Sequence, residues 1–556
     1  MSAMLTRLPI QLERNAKRVI TRLFLPGDQK RIRDIIERVC AFSAGEVKTM
    51  LAQLQRSFQT LHPDIEDVFL KHFEAVEDFL PRAIRADDPL RRLIGAYFTM
   101  EYAIESAALF NPSMVPSVDQ TGLPPGSVRF AMSLRATGEG HISSIVFRSG
   151  VIDETGQVRV DAPGLYSRPL TPILADEFQK DGFIRELRTL GAWNDCTQAV
   201  TDLLGARFTR AQLSEAIDKL RANASVSGKS EESFDDLLAL TRTFYELQAP
   251  QGTDISEVVI FPFADNERNG IEDMRLVRFA AADGSYEYFG TYTAYNGSRI
   301  FPQLLRYRPN ENIKICMLTG SSAQNKGMAL FPRKIRDKYA MVARLDNENL
   351  YYMESDNVLT WDKARILQRP KFPWEAIQIG NCGSPLETHV GWLLLTHGVG
   401  PMRQYCIGAT LLDLEEPCRV IGQTSEPLLV PTGEERFGYV PNVVYSCGGM
   451  IHGKNLVLPY AMSDMATSVA LDPPRPSVVK SPSGVTPWKP AMMTTFPLLS
   501  CSRMRCLLID WILALEKALS VTSPICPPVK LIASCPWAWI AIAMSAIVTC
   551  SPVASS

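Results

Sequence analysis

Between residue 251 and about residue 470 the chain is built from short apolar runs set between Gly, Pro, Asn and Asp. "YEYFGTYTAY", "KYAMVARL", "GWLLLTHGV" and "NLVLPYAM" are examples. Such runs are strand-length and rich in aromatic and β-branched residues, and the turn residues between them recur at an even pace. That rhythm confines the region to an all-β architecture: a sandwich, a barrel or a propeller. No strict internal repeat is present, which counts against a propeller without excluding it.

Other zones read differently. Residues 1–100 look helical: "DQKRIRDIIERVCAFSAGEVKTMLAQLQRSF" places apolar residues three and four apart with few breakers. Short β-like runs such as "VRFAMSLRA" and "ISSIVFRSG" occupy 101–175. Residues 176–248 return to amphipathic helix, as in "FTRAQLSEAIDKLRANA" and "SFDDLLALTRTFYELQ". The expected organisation is therefore a helical region at 1–100, a β domain at 101–470 with a helical insertion at about 176–248, and a separate tail at 471–556.

The tail is compositionally foreign. It opens on "LDPPRPSVVKSPSGVTPWKP", holds five of the twelve cysteines, and contains no Tyr, Asn, Gln or His. Residues 531–550, "LIASCPWAWIAIAMSAIVTC", are charge-free and long enough to span a bilayer. One reading is a membrane anchor. The other is a shifted reading frame that has replaced the protein's own end, and the abrupt composition break favours it.

A net charge of -2 supplies no field for nucleic acid or an anionic membrane. The cysteines lack CxxC pairs or metal-ligand spacing, which suits a reducing compartment. With no secretory h-region in "MSAMLTRLPIQLERNAKRVITRLF", the expected location is the cytoplasm. No metal site is expected.

Within the β zone, "NGIEDMRLVRF" (269–279) sets Glu272, Asp273, Arg275 and Arg278 in an otherwise apolar run. Strand alternation would put Ile271, Asp273, Arg275 and Val277 on one face and Glu272, Met274, Leu276 and Arg278 on the other. Asp273 and Arg275 would then be neighbours, either as a polar site on an apolar support or as a pair capping a strand edge. Lys326 and Arg344 end apolar runs in "QNKGMALFPRKIRDKYAMVAR". Glu387 and His397 flank "VGWLLLT", and Asp464 ends "LPYAMSD". Polar residues that recur at strand ends on a rigid scaffold point to a functional site.

These segments resemble glycoside hydrolase family 130, the β-mannoside phosphorylases and related mannosidases. The pieces that carry the resemblance are "RVITRLFLPG" (18–27), "ALFNPSMV" (108–115), "SLRATGEGHISSIVFR" (133–148), "NGIEDMRLVRF", "YFGTYTAY" (288–295), "NKGMALFPRKIRDKYAMVAR" (325–344), "GSPLETHVGWLLLTHGVG" (383–400), "GYVPNVVYSCG" (438–448) and "LPYAMSD" (458–464). They cover about 101–470, with a patch near residue 20. The resemblance implies a mainly β fold, a five-bladed β-propeller with its active site in the central funnel, carrying an N-terminal helical region and a helical insertion.

It also implies a chemistry. The family's E-D-x-R motif falls on Glu272, Asp273 and Arg275, which makes Asp273 the general acid for the leaving oxygen, its proton passing through a hydroxyl of the bound mannose. Phosphate attacks the anomeric carbon from the opposite face with inversion. Arg135, Lys326, Arg344 and His397 match the phosphate-binding positions, with Arg403 and Tyr405 as weaker matches. Asn111, Glu272, Arg275, Glu387 and Asp464 match substrate-binding positions. The partner is an oligosaccharide, a β-mannoside, with inorganic phosphate as co-substrate and no other cofactor; a homo-oligomer is left open. Because an ionised Arg275 beside Asp273 would lower the acid's pKa, Arg275 is expected to face substrate or another carboxylate. Met274 departs from the small residue or Pro common in the motif.

Two alternatives remain at this stage. An inverting hydrolase of the same family needs a second carboxylate roughly 6.5–9.5 Å from the acid, and Glu387 is the candidate. A non-catalytic sugar-binding propeller is the other. Nothing after residue 470 reads as a strand, so the last blade is expected to keep an unpaired edge.

Overall fold

The computed structural model describes residues 5–81, 86–223, 228–250 and 252–472. All lie in Met1–Gly484, the first of two units into which the chain divides. Five sheets of at least four strands, antiparallel except for one short parallel pair at the edge of the first, follow one another, one per blade of a five-bladed propeller. Their innermost strands are Ala108–Pro116, Ile271–Ala280, Lys326–Leu330, Gln378–Asn381 and Val444–Tyr445. We number the blades I to V in that order.

The helical segments decorate this frame. Strands Thr171–Leu174 and Tyr245–Gln248 pair with each other on the outer edge of blade II, and the helical insertion is strung between them. Tyr245–Gln248 is thus blade strand, which trims the insertion expected at 176–248. Its helices cover an apolar cluster that includes Phe178, Phe183, Leu187, Phe208 and Leu213.

The N-terminal helices Gln29–Cys40, Ala44–Phe58, Ile65–Glu74 and Asp88–Tyr97 enclose their own core of Ile32, Ile36, Val39, Phe73, Leu93 and Phe98. Helix starts are fixed by side-chain caps: Asp28 accepts from the Arg31 amide, and Ser43 and Glu46 form a reciprocal capping box. Gly95 lets two of the helices touch, since a Cβ there would lie 1.7 Å from the Phe69 carbonyl oxygen. A buried ionic node ties this region to blade I. The Glu105 carboxylate is ion-paired with Arg18 at 2.9 Å and accepts from Arg148 at 2.9 Å, and Arg18 also donates to the Ser256 carbonyl.

Two expectations need correction. Residues 1–100 are not wholly helical, and blade V has no missing strand. Thr6–Leu12 pairs antiparallel with Ala466–Asp472, so the N-terminal strand closes the ring as the outermost strand of the last blade. Leu5 is buried, and Arg7 pairs with Glu435 at 2.8 Å. The strand "TRLPIQL" alternates through Leu8, Ile10 and Leu12, but Pro9 within it reads against a strand, and the ladder is irregular between Arg7 and Gln11. Strand pairing also continues through Leu471 and Asp472, past the expected boundary at 470. The tail from residue 473, including the apolar run 531–550, lies outside the described residues. Among the described residues no helix is long and apolar enough to cross a membrane.

Removing residues 1–13 strips the closing strand and leaves the Ala466–Asp472 edge unpaired. The expected result is a clear fall in melting temperature with aggregation on heating. A truncate melting within a degree or two of the full chain would show that this closure carries no stability.

Candidate active site

In three successive blades the inner strand carries one residue more than its neighbour. In blade I Phe110 faces Arg135 and Ser113 faces Ser133; in blade II Glu272 faces Thr293 and Arg275 faces Thr291; in blade III Lys326 faces Arg344 and Ala329 faces Val342. Each bulge holds a residue in the left-handed region: Asn111 (φ 51°), Asp273 (φ 57°) and Gly327 (φ 81°). Asn, Asp and Gly tolerate that conformation best. Equivalent positive-φ glycines, Gly383 and Gly448, sit beside the inner strands of blades IV and V.

The bulge overturns simple alternation at 271–278. Glu272 and Asp273 do not point to opposite faces, because one guanidinium, Arg135, binds both. Its Nη2 donates to Glu272 Oε1 at 2.7 Å and its Nη1 to Asp273 Oδ1 at 3.4 Å. Arg135 Nε donates to Ser143 Oγ at 2.9 Å, fixing the fork in place. Asn111 Nδ2 donates to Asp273 Oδ1 at 2.7 Å, and Lys326 Nζ donates to Glu272 Oε2 at 2.8 Å. Blades I, II and III thus meet in one network.

A second cluster adjoins it. Arg275 is buried; its Nη2 donates to the Tyr445 hydroxyl at 2.7 Å and its Nη1 to the Asp273 carbonyl at 3.3 Å. Arg275 therefore meets no carboxylate side chain; of the two expected arrangements, the one with a second carboxylate is not found. Arg344 Nη1 lies 3.5 Å from His397 Nε2 and faces Lys326 across the ladder. Gln378, with its amide oriented to satisfy both neighbours, accepts from Arg344 and donates to the Asn347 carbonyl. His397 packs between Tyr405 and Tyr445, with ring centroids at 5.9 and 5.0 Å. The Nε atoms of Arg344 and Arg275 are buried without a hydrogen-bond partner.

The charges act on one another. Burial alone would raise the Asp273 pKa, but Arg135, Lys326 and Arg275, with the Asn111 hydrogen bond, bring it below the ordinary value. Asp273 is thus a carboxylate in the free site. Burial, reinforced by the negative charge of Asp273, pushes Asp464 up to about 6, against the pull of Arg135 and Arg403. Burial, with Arg344 and Arg275 nearby, drives His397 well below its usual range. His397 is neutral here, so the expected basic cluster contains Lys326 and Arg344 as cations and His397 as a neutral imidazole.

Of the residues singled out from sequence, Asn111, Arg135, Glu272, Asp273, Arg275, Lys326, Arg344 and His397 converge, and Asp464 is close enough for its charge to couple to Asp273 and Arg135. Arg403 is exposed on the rim, in a turn with positive φ. Glu387 does not join them. It is bound by Arg333 at 2.7 Å and faces Trp392. His397 lies five steps along the strand from Trp392, roughly 17 Å at strand rise. Arg333 also bridges to Ala280, at the far end of the strand that begins beside Asp273. The site partners missed from sequence are Tyr445, Gln378 and Ser143. Tyr445 lies in "NVVYSCG", inside a quoted motif, but a lone Tyr in an apolar strand gives no polar signal.

Fold and site define a β-propeller enzyme with a carboxylate-and-cation centre. The profile of glycoside hydrolase family 130, described as β-1,4-mannooligosaccharide phosphorylase, matches residues 250–475. The chain is 33% identical over 221 residues to the 1,2-β-oligomannan phosphorylase of Thermoanaerobacter sp. (strain X514), covering 37% of this chain and 69% of that protein. It is 28% identical over 220 residues to the β-1,2-mannobiose phosphorylase of Listeria innocua serovar 6a, covering 38% of this chain and 59% of that protein. The solved β-1,2-mannobiose phosphorylase from Listeria innocua, in complex with β-1,2-mannobiose, superposes with a TM-score of 0.40 at 20% identity, over 66% of this chain and 90% of its own. The chain belongs to glycoside hydrolase family 130.

The raised Asp464 pKa has a definite sign. Below about pH 4 the group is protonated in folded and unfolded chains alike. Between about pH 4 and pH 6 the unfolded chain releases a proton that the folded chain keeps, so stability falls as pH rises through this window. Asp464→Asn removes the effect. The melting temperature of the variant, compared with the unsubstituted protein at pH 4 and pH 7, is expected to rise relative to it at pH 7. An unchanged difference at the two pH values would show that Asp464 titrates normally.

Proposed function

We propose that this chain is an inverting phosphorylase of β-mannosides in which Asp273 is the general acid and Lys326 and Arg344, with His397, hold phosphate. The observation that supports this most is an asymmetry of charge. Lys326, Arg344 and Arg275 gather beside Asp273, with unpartnered guanidinium Nε atoms, while Glu387, the carboxylate that hydrolysis would have used as base, is bound to Arg333 elsewhere on blade IV. Phosphate needs several cations and donors in a confined site. Water as nucleophile would need a free carboxylate across the sugar; Glu272 is engaged by Arg135 and Lys326.

The proton balance follows. Hydrogen phosphate becomes a mannosyl phosphate ester and loses its proton, and the leaving oxygen gains one. Asp273 starts as a carboxylate, and phosphate entering beside Lys326 and Arg344 sets negative charge against the cations that hold it ionised. Its proton affinity then rises at the step that needs an acid. Neutral His397 donates to or accepts from phosphate through a ring nitrogen without adding charge. Asn111 and Arg135 fix the Asp273 carboxyl, and Asp464 accepts sugar hydroxyls. The seven cysteines of the described residues are all free, which supports a cytoplasmic reading.

The decisive assay is incubation with β-1,2- and β-1,4-manno-oligosaccharides, with and without phosphate. Mannose 1-phosphate formed only with phosphate is expected; free mannose formed at the same rate in either case would establish a hydrolase. Asp273→Asn, nearly isosteric but unable to supply a carboxylic proton, is expected to lower turnover about 10²–10⁴-fold while sugar binding persists. Near-normal turnover of an unactivated mannoside would remove Asp273 from the role. Lys326→Ala is expected to weaken phosphate use by roughly ten- to a hundredfold, the loss of one charge-assisted contact, with a much smaller change in KM for the sugar. Equal losses toward both substrates would contradict the assignment.

A further inference from the structure

The N-terminal helices hang from a two-stranded ribbon. Val19–Leu23 pairs antiparallel with Thr99–Ala103, and the four helices lie between these strands in sequence. Tyr102 of the ribbon is buried. Its ring meets Phe261 edge-on at 5.3 Å, and the Arg22 guanidinium lies over both rings, 5.1 and 4.8 Å from their centroids. Packing on several sides fixes the ring and so fixes the aim of its hydroxyl.

That aim is the tip of the blade I hairpin, residues 138–142. The Tyr102 hydroxyl donates to the Glu139 carbonyl at 2.7 Å, with the Ile142 carbonyl 3.4 Å away. Gly138 allows the approach: a Cβ there would lie 2.6 Å from the Ala103 carbonyl oxygen and 2.7 Å from the Tyr102 hydroxyl. Burial pushes the phenol up to about 12, against the pull of Arg22, so it stays a donor at working pH. The tip needs such a hold. Gly140 and His141 both take left-handed backbone, with φ 64° and 59°, and at His141 that conformation is strained.

Ser143 directly follows the tip. Its Oγ accepts from Arg135 Nε at 2.9 Å and lies 3.3 Å from Thr137 Oγ1 across the hairpin. Gly270, which precedes the strand bearing Asp273, packs on the Ser143 backbone, where a Cβ would lie 2.9 Å from the amide nitrogen. Of the charged groups that face Asp273, namely Arg135, Lys326, Arg275 and Asp464, only Arg135 bonds to a residue of this hairpin turn. The fork of Arg135 is therefore only as well placed as Ser143, and Ser143 only as well placed as the tip.

We propose that Tyr102 is a positioning residue: its hydroxyl sets the 138–142 tip, the tip sets Ser143, and Ser143 sets the Arg135 fork that orients Asp273. The N-terminal helical region then takes part in the reaction through its ribbon. The proposal rests on the reading of Asp273 as the acid and extends it to the residues that hold that acid in place.

The test uses the full chain with Tyr102→Phe, Ser143→Ala and the two combined. Tyr102→Phe keeps the ring and its contacts and removes only the donor. With a β-manno-oligosaccharide and phosphate, its kcat is expected to fall roughly three- to tenfold, the worth of one neutral hydrogen bond, with the KM for phosphate little changed. The combined variant is expected to lose no more than Ser143→Ala alone, because the two residues act in series. Ile36→Val, which loosens the helical core, is expected to lower the melting temperature and leave kcat unchanged. Infrared spectra at pH 4 read the same effect without turnover. A looser Arg135 lets the Asp273 pKa rise, so the carboxylic-acid band that Asp273→Asn removes is expected to be stronger in Tyr102→Phe than in the unsubstituted protein. If the unsubstituted protein forms no phosphate-dependent product, the phosphorylase reading fails, and the infrared comparison still decides this proposal. Losses that multiply in the combined variant, an equal fall of kcat in Ile36→Val, or an infrared band unchanged in Tyr102→Phe would overturn it.

Discussion

The site depends on a backbone irregularity. Without the extra residue in the inner strands of blades I and II, Asn111 and Asp273 would obey strand alternation, and Asp273 could not share Arg135 with its neighbour Glu272. The left-handed turn at each bulge brings both side chains to a 2.7 Å hydrogen bond between blades. Non-glycine residues in that region are strained, which the surrounding ladder must hold in place. The propeller supplies the restraint: the inner strands of blades I to III are paired on both sides of their bulges, and the ring is closed by Thr6–Leu12.

Charge arrangement follows from that placement. Glu272 serves as an anchor, holding Arg135 on one oxygen and Lys326 on the other. The cations hold Asp273 ionised, and the Asp273 charge in turn helps to raise Asp464. The tension noticed in the sequence, a general acid beside an arginine, is real in the free site. Under the function proposed, it resolves when the anionic co-substrate competes for the same cations.

The sequence disclosed the fold class through strand rhythm and, by resemblance, the five blades. Lys326, Arg344, His397 and Asp464 stood out at the ends of apolar runs, while Asn111 and Arg135, which lie within strands, came only from the family resemblance. What stayed hidden was what one-dimensional patterning cannot carry. A single inserted residue brings Glu272 and Asp273 to the same guanidinium, and "EDMR" reads the same with or without it. The conformational repeat at Asn111, Asp273 and Gly327 has no common residue, only a common φ. Glu387 resembled a site residue because it flanks the same apolar run as His397, but it lies at the opposite end of that run. The closing strand escaped because its partner is more than 450 residues away, and Tyr445 because its role depends on the guanidinium of another blade.

The central claim is that Asp273 is ionised in the free site and gains a proton when phosphate arrives. Difference infrared spectroscopy at neutral pH, before and after adding phosphate, tests it directly. The account expects a carboxylic-acid C=O band to appear on adding phosphate and to be absent in Asp273→Asn. No new band, or one that persists in Asp273→Asn, would contradict it.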